Sequence, residues 1–126
     1  IKSRESNIRR TNIMDCIFCD IISGEMPGDI LLRSEHVCAF RDVNPVAPSH
    51  VLVVPNKHLA SIESLTEADA ELAGKLLLAV KEVSSLEDIA HSGYRVIANT
   101  GADGHQEVNH LHIHVMGGAP MQHRVG

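Results

Sequence analysis

Polar and hydrophobic residues alternate near the C-terminus, in His110-Leu111-His112-Ile113-His114-Val115. A period of two is strand periodicity, because successive side chains point to opposite faces. A strand here carries three imidazoles on one face and Leu111, Ile113 and Val115 on the other. The same reading predicts the other elements. Residues 15–23 (DCIFCDIIS) form a short apolar helix, ended by Gly24 and the Met26-Pro27-Gly28 turn. Residues 29–33 and 37–41 form two strands joined by Ser34-Glu35-His36. Residues 42–49 are a loop stiffened by Pro45 and Pro48. Residues 50–54 (HVLVV) are apolar throughout and read as a central strand stopped by Pro55.

One long helix is predicted from Thr66, where Thr66-Glu67-Ala68-Asp69 fits a capping box. Leu72, Leu76, Ala79, Val83 and Leu86 recur at helical spacing and give its buried stripe. Gly74 interrupts this helix and marks a close approach of another backbone. Ser92-Gly93 ends the region, residues 94–98 (YRVIA) form a strand, and residues 99–109 are a Gly-rich loop leading into the histidines. Strands, one long helix, then strands again predict an α+β fold with an antiparallel sheet.

The chain has 126 residues, 44% of them hydrophobic and 21% charged, which suits one globular domain with a modest core. There is no Trp, one Tyr and two Phe, so Leu, Ile, Val and Ala must fill that core. Residues 1–13 are polar and basic and are expected to be a flexible extension before a single domain spanning 14–126. Met14 looks like a natural start. The net charge of −5 excludes a broad nucleic-acid surface, which needs a basic stripe. No apolar run is long enough to span a bilayer, so no membrane partner is expected. An odd count of three cysteines, Cys16, Cys19 and Cys38, points to a reducing compartment and a cytoplasmic location.

Three imidazoles in register supply nucleophiles, proton carriers or metal ligands. Gly101 and Gly104 in the preceding loop let the backbone present N–H groups to an anion, with Asn99 and Gln106 as added donors. An ordinary hairpin connection would account for that loop alone; the histidines that follow make a phosphate site the better reading. Neutral imidazole can attack phosphorus, and a neighbouring imidazole can stabilise the phosphoryl oxygens or assist the leaving group.

The run from His110 to Met116 resembles the histidine-triad (HIT) signature, His-φ-His-φ-His-φ-φ with φ apolar. Cys16-Ile17-Phe18-Cys19, Ala39-Phe40-Arg41-Asp42, Pro48-Ser49-His50, Val54-Pro55-Asn56-Lys57-His58 and Asn99-Thr100-Gly101 agree with it. The Gly117-Gly118 end resembles the Hint branch, the nucleoside phosphoramidate hydrolases. The resemblance implies a five-stranded antiparallel sheet with one long and one short N-terminal helix, continued across a homodimer. It implies cleavage of the P–N bond of a purine nucleoside 5′-phosphoramidate through a nucleotidyl-histidine intermediate, giving the monophosphate. His112 matches the nucleophile, His114 a phosphate contact, and His110 and His50 supporting histidines. Asp42 matches the ribose-binding position and Asn99 a phosphate or leaving-group contact. Gln106, Glu107 and Val108 match the phosphate-holding loop. Ile17, Phe18, Ile21, Phe40 and Val43 match the slot for the purine, with Phe18 and Phe40 the favoured stacking rings.

The chain also departs from the pattern. His105 stands where relatives often carry glycine, and Glu107 where some carry a hydroxyl that protonates the leaving group; that task then falls to His114. No cofactor is required by this chemistry. Cys16-x-x-Cys19 is a metal-ligand spacing, and by analogy with some bacterial HIT proteins its partners for a structural zinc would be His50 and His110. A pair of reduced thiols is the equal alternative. Two other functions compete: a nucleotide-binding or interaction module with little turnover, and a dinucleoside polyphosphate hydrolase, which the Gly117-Gly118 end disfavours.

Overall fold

The computed structural model describes residues 16–126, so the expected extension over residues 1–13 lies outside the described residues. Helix α1 is Ile17–Ser23, and strands β1 and β2 are Ile30–Arg33 and Val37–Arg41. Strand β3 is Ser49–Pro55, helix α2 is Ala70–Leu86, β4 is Tyr94–Ile97 and β5 is Ile113–Gly117. The five strands form one sheet in the order β1-β2-β3-β5-β4, and every neighbouring pair is antiparallel. This is the expected α+β architecture. Strand β3 lies at the centre and is buried along its whole length, as its unbroken apolar run requires.

Strand parity sorts the core into two layers. Val37, Ala39, Val51, Val53, Ile113 and Val115 pack with Leu76, Ala79, Val80 and Val83 of α2. Cys38, Phe40, Leu52 and Val54 face the other way and pack with Phe18 and Ile21 of α1 and with Cys16, which caps it. Fully burying one Leu or Val side chain contributes about 1.5–3 kcal/mol, so each layer is held by several such residues. The triad histidines share parity with the α1 layer, which puts them under the short helix.

Three predicted details differ. Regular α-helix begins at Ala70, preceded by a 3₁₀ turn at Glu67–Asp69. The capping box itself is present: Thr66 N–H donates to Asp69 Oδ2 at 3.0 Å, and Lys57 Nζ donates to Asp69 Oδ1 at 2.9 Å. These bonds hold the Asp69 carboxyl below its ordinary pKa. The stripe of α2 runs through Val80 and leaves Leu86 exposed, because the 3.6-residue period carries position 86 off the buried arc. Gly74 faces open space, with nothing within 4 Å of an added Cβ, so no backbone approaches it.

The histidine strand also starts late, at Ile113. The backbone of residues 110–112 is committed elsewhere. His112 Nδ1 lies 2.7 Å from the His110 carbonyl, and Leu111 N–H donates to the Leu59 carbonyl at 2.6 Å. Those groups are unavailable to a ladder, although the facing pattern continues: His110 and His112 lie on one side and Leu111 packs in the α2 layer.

Candidate active site

Hydrogen bonds assign the protons on the buried imidazoles. The His110 carbonyl can only accept, so His112 carries its hydrogen on Nδ1 and leaves Nε2 with a bare lone pair. His50 is the converse case. Val46 N–H donates to His50 Nδ1 at 3.1 Å, so the His50 hydrogen sits on Nε2. That Nε2–H faces His114 Nδ1 at 2.9 Å and Asp42 Oδ2 at 3.4 Å. His114 Nδ1 therefore accepts, and its own hydrogen is on Nε2. The chain Val46 to His50 to His114 is satisfied with both rings neutral. Desolvation lowers the His50 pKa, against the opposing pull of Asp42. Desolvation, reinforced by His112 and His50, pushes His114 down to about 4.

His50, His112 and His114 line a cavity of about 510 Å³ together with Asp42, Asn99, Glu107 and Val108. Its apolar wall contains Ile17, Phe18, Ile21, Phe40 and Val43. Among these five the exposed surface comes from Ile17 and Val43, at 46% and 87% exposure, and Val46 and Met26 of the same cavity add to it. The two phenylalanines, favoured from sequence as stacking rings, are buried instead and form the floor. Phe18 meets Phe40 edge-on at 5.4 Å between ring centroids and His112 at 5.1 Å, so it buttresses the imidazole. Asp42 Oδ1 accepts from Asn44 N–H at 2.8 Å. Arg41 also lines the cavity, but its guanidinium is paired with Glu87 at 2.6 Å and Asp29 at 3.0 Å.

Two expected residues stand behind the wall. His110 is fully buried and donates from Nε2 to the Pro55 carbonyl at 2.9 Å. Gln106 is not a donor into the cavity. Its Nε2 bonds the carbonyls of Ala60 and Val108 at 2.7 and 2.9 Å, and its Oε1 accepts from Gly101 N–H at 3.0 Å. Gln106 thus pins the loop. His105 occupies that loop at φ +60°, a left-handed conformation that favours glycine. Sequence reasoning missed Met26, Pro27, Gly28, Asn44, Val46, Leu52, Ile97 and Met116, which also line the cavity. Gly28 carried a readable signal: an added Cβ would lie 2.8 Å from Ile21 Cγ2, so only glycine lets the Met26-Pro27-Gly28 turn close against that wall.

Beside the active cavity, Cys16, Cys19, His58 and His110 converge, with their donor atoms within 4.8 Å of one another. His110 Nδ1 is 3.4 Å from Cys16 Sγ and 3.6 Å from Cys19 Sγ, and His58 Nδ1 is 3.3 Å from Cys19 Sγ. The Pro55 bond leaves the His110 Nδ1 lone pair facing the sulfurs, as a metal-binding imidazole requires. Burial foremost, then Cys16, raises the Cys19 thiol to about 11. Two thiols and two imidazoles fit a tetrahedral zinc. The fourth residue is His58, not the expected His50. His50 is the second residue of β3 and Pro55 its last, and five steps along a strand separate them by roughly 16 Å. Asp42, His50 and His114 also approach one another, but Val46 keeps the His50 hydrogen on the nitrogen that a metal would need.

The HIT domain profile matches residues 23–121. This chain belongs to the HIT family. A purine nucleoside phosphoramidase of Escherichia coli K12 is 37% identical over 107 residues, covering 85% of this chain and 90% of that one. The crystal structure of a HIT family hydrolase from Legionella pneumophila aligns with a TM-score of 0.83 at 38% identity, covering 86% of this chain and 96% of that one. A histidine triad protein from Clostridium difficile aligns with a TM-score of 0.85 at 37% identity, over 91% of this chain and 100% of the other. The relatives of this HIT protein thus include hydrolases in both sequence and structure.

Proposed function

We propose that this HIT hydrolase cleaves purine nucleoside 5′-phosphoramidates at the P–N bond, through a nucleotidyl intermediate on His112. The observation that carries the reading is the 2.7 Å contact of His112 Nδ1 with the His110 carbonyl, which leaves Nε2 unprotonated in the cavity. The E. coli phosphoramidase relative supports the substrate class. Ile17 and Val43 take the base, Asp42 accepts from the ribose hydroxyls, and the Gln106-pinned loop, with Asn99, receives the phosphoryl group.

In the first step His112 Nε2 attacks phosphorus in the N-protonated phosphoramidate. The N–P bond to His112 forms as the P–N bond to the amine breaks, and the amine leaves with the proton it already carries. His112 is left as a phosphorylated imidazolium whose Nδ1–H still faces the His110 carbonyl. Water then attacks phosphorus, the bond to His112 breaks, and nucleoside monophosphate leaves with the water oxygen while one proton passes to solvent. His114 serves as a neutral donor from Nε2 to a phosphoryl oxygen. It is not a net acid, because losing that hydrogen would leave an imidazolate in the chain held by Val46.

Cavity charge disfavours the polyphosphate alternative. Asp42 and Glu107 are its carboxylates, Arg41 is neutralised, and desolvation disfavours the charged forms of His50 and His114, so among the described residues the cavity offers a polyanion little positive charge. Cys16, Cys19, His58 and His110 would hold a structural zinc, which would brace His110 and so the carbonyl orienting His112. A homodimer continues the sheet, and three free cysteines suit the cytoplasm. Among the described residues no helix is long and apolar enough to cross a membrane.

The test is adenosine 5′-phosphoramidate mixed with wild type and His112→Asn, reading AMP release and intact-protein mass. AMP formation that falls by orders of magnitude in the variant, with nucleotide binding retained, is expected. Binding without AMP in the wild type would leave a nucleotide-binding module.

A further inference from the structure

Glu107 lines the reaction cavity and takes no part in the scheme above. Its backbone is held at the wall on both sides. The Gln106 side chain is bonded to Ala60 and Gly101, and it also grips the Val108 carbonyl. The Glu107 side chain is exposed and has no hydrogen-bond or ion-pair partner among the described residues. The other charges of the cavity are accounted for. Arg41 is neutralised by Glu87 and Asp29, and Asp42 is shared by Asn44 N–H and His50. Among the described residues Glu107 is therefore an anion without a compensating charge, on the wall that also carries His112 and His114.

A carboxylate there cannot assist the phosphoryl group, which is itself negative. It can attract the departing group. The scheme requires a substrate protonated at the phosphoramidate nitrogen, which leaves as the neutral amine, so Glu107 would attract that bound substrate and any further positive charge carried on its amine side. We infer that Glu107 is a specificity-determining residue, selecting phosphoramidates whose amine leaving group carries an added positive charge and discriminating against anionic ones. This rests on the phosphoramidase reading.

Three adenosine 5′-phosphoramidates of matched length test it, built on butylamine, on 1,4-diaminobutane and on 4-aminobutyrate. In wild type kcat/KM should follow cationic over neutral over anionic, with about 1.5- to fivefold per step, the range for an exposed ion pair. Raising ionic strength from about 0.01 M to about 1 M should shrink the spread. Glu107→Gln should bring the three values together, and Glu107→Lys should invert their order. Equal wild-type values, with AMP released from all three, would overturn the inference and leave the phosphoramidase reading standing. A spread that Glu107→Gln does not change would remove Glu107 as its cause. No AMP from any substrate would remove the phosphoramidase reading, and the inference with it.

Discussion

Acidifying the protein to about pH 5 should destabilise it through His114, and the size of the effect follows from the structure. Desolvation foremost, then His112 and His50, lowers this imidazole from 6.5 to about 4. Between those values the unfolded chain binds a proton that the folded chain refuses, so stability is full above 6.5 and is lost as pH falls toward 4. At pH 5 the unscreened loss is about 2 kcal/mol for this one group; partial solvent exposure roughly halves it, to about 1 kcal/mol. His50 and His110 are shifted in the same direction, chiefly by desolvation, and add to it. Urea denaturation in the presence of a chelator reads the effect without a metal contribution. With a slope of about 1–1.5 kcal/mol per molar, the midpoint should fall by about 0.7 M or more between about pH 7.5 and about pH 5. Asp69 and Glu87, held below their ordinary values by hydrogen bonds, lose stability mainly at lower pH and do not confuse this window. His114→Gln should lose its share of the slope. A midpoint unchanged on acidification, or a variant with the wild-type slope, would refute the assignment of neutral, buried imidazoles.

Gly28→Ala should cost about 1–2 kcal/mol by overpacking, because its Cβ meets Ile21 Cγ2 at 2.8 Å; urea denaturation and AMP titration should show weakened stability and binding together. Gln106→Ala removes three hydrogen bonds that pin the loop, at about 1–3 kcal/mol, and steady-state kinetics should show kcat/KM reduced although the side chain never reaches the substrate. Zinc content by elemental mass spectrometry should be near one per chain and fall sharply in His58→Ala but not in His50→Ala, while chelation should lower the Tm. Equal zinc loss in both histidine variants would contradict the separation of His50, near the start of β3, from His58, beyond its Pro55 end.

Much of the fold and part of the site could be read in the sequence, and the division has a physical basis. Strand parity is local, so it located the face shared by His110, His112 and His114 and the opposite face of Leu111, Ile113 and Val115. Parity carries no information on depth. The three histidines differ in depth: His110 has no exposure, His112 is buried at 5%, and His114 is partly open. Nor does composition reveal which end of β3 a residue occupies, which is why His50 stood in for His58 beside Cys16 and Cys19. The choice depends on an antiparallel register that pairs Leu52 with His114 and His50 with Met116, leaving the Pro55 end for His110. Gln106 was misread for a related reason, since a polar side chain in a Gly-rich loop can serve a ligand or the loop itself. Only the positions of Ala60, Gly101 and Val108 decide between them. His110 shows what such long-range placement achieves. Its ring bonds Pro55 and faces both cysteines, while its carbonyl orients His112. A change at the cysteine cluster therefore acts on the nucleophile through a single residue, and a histidine with no solvent exposure has a direct path to the chemistry.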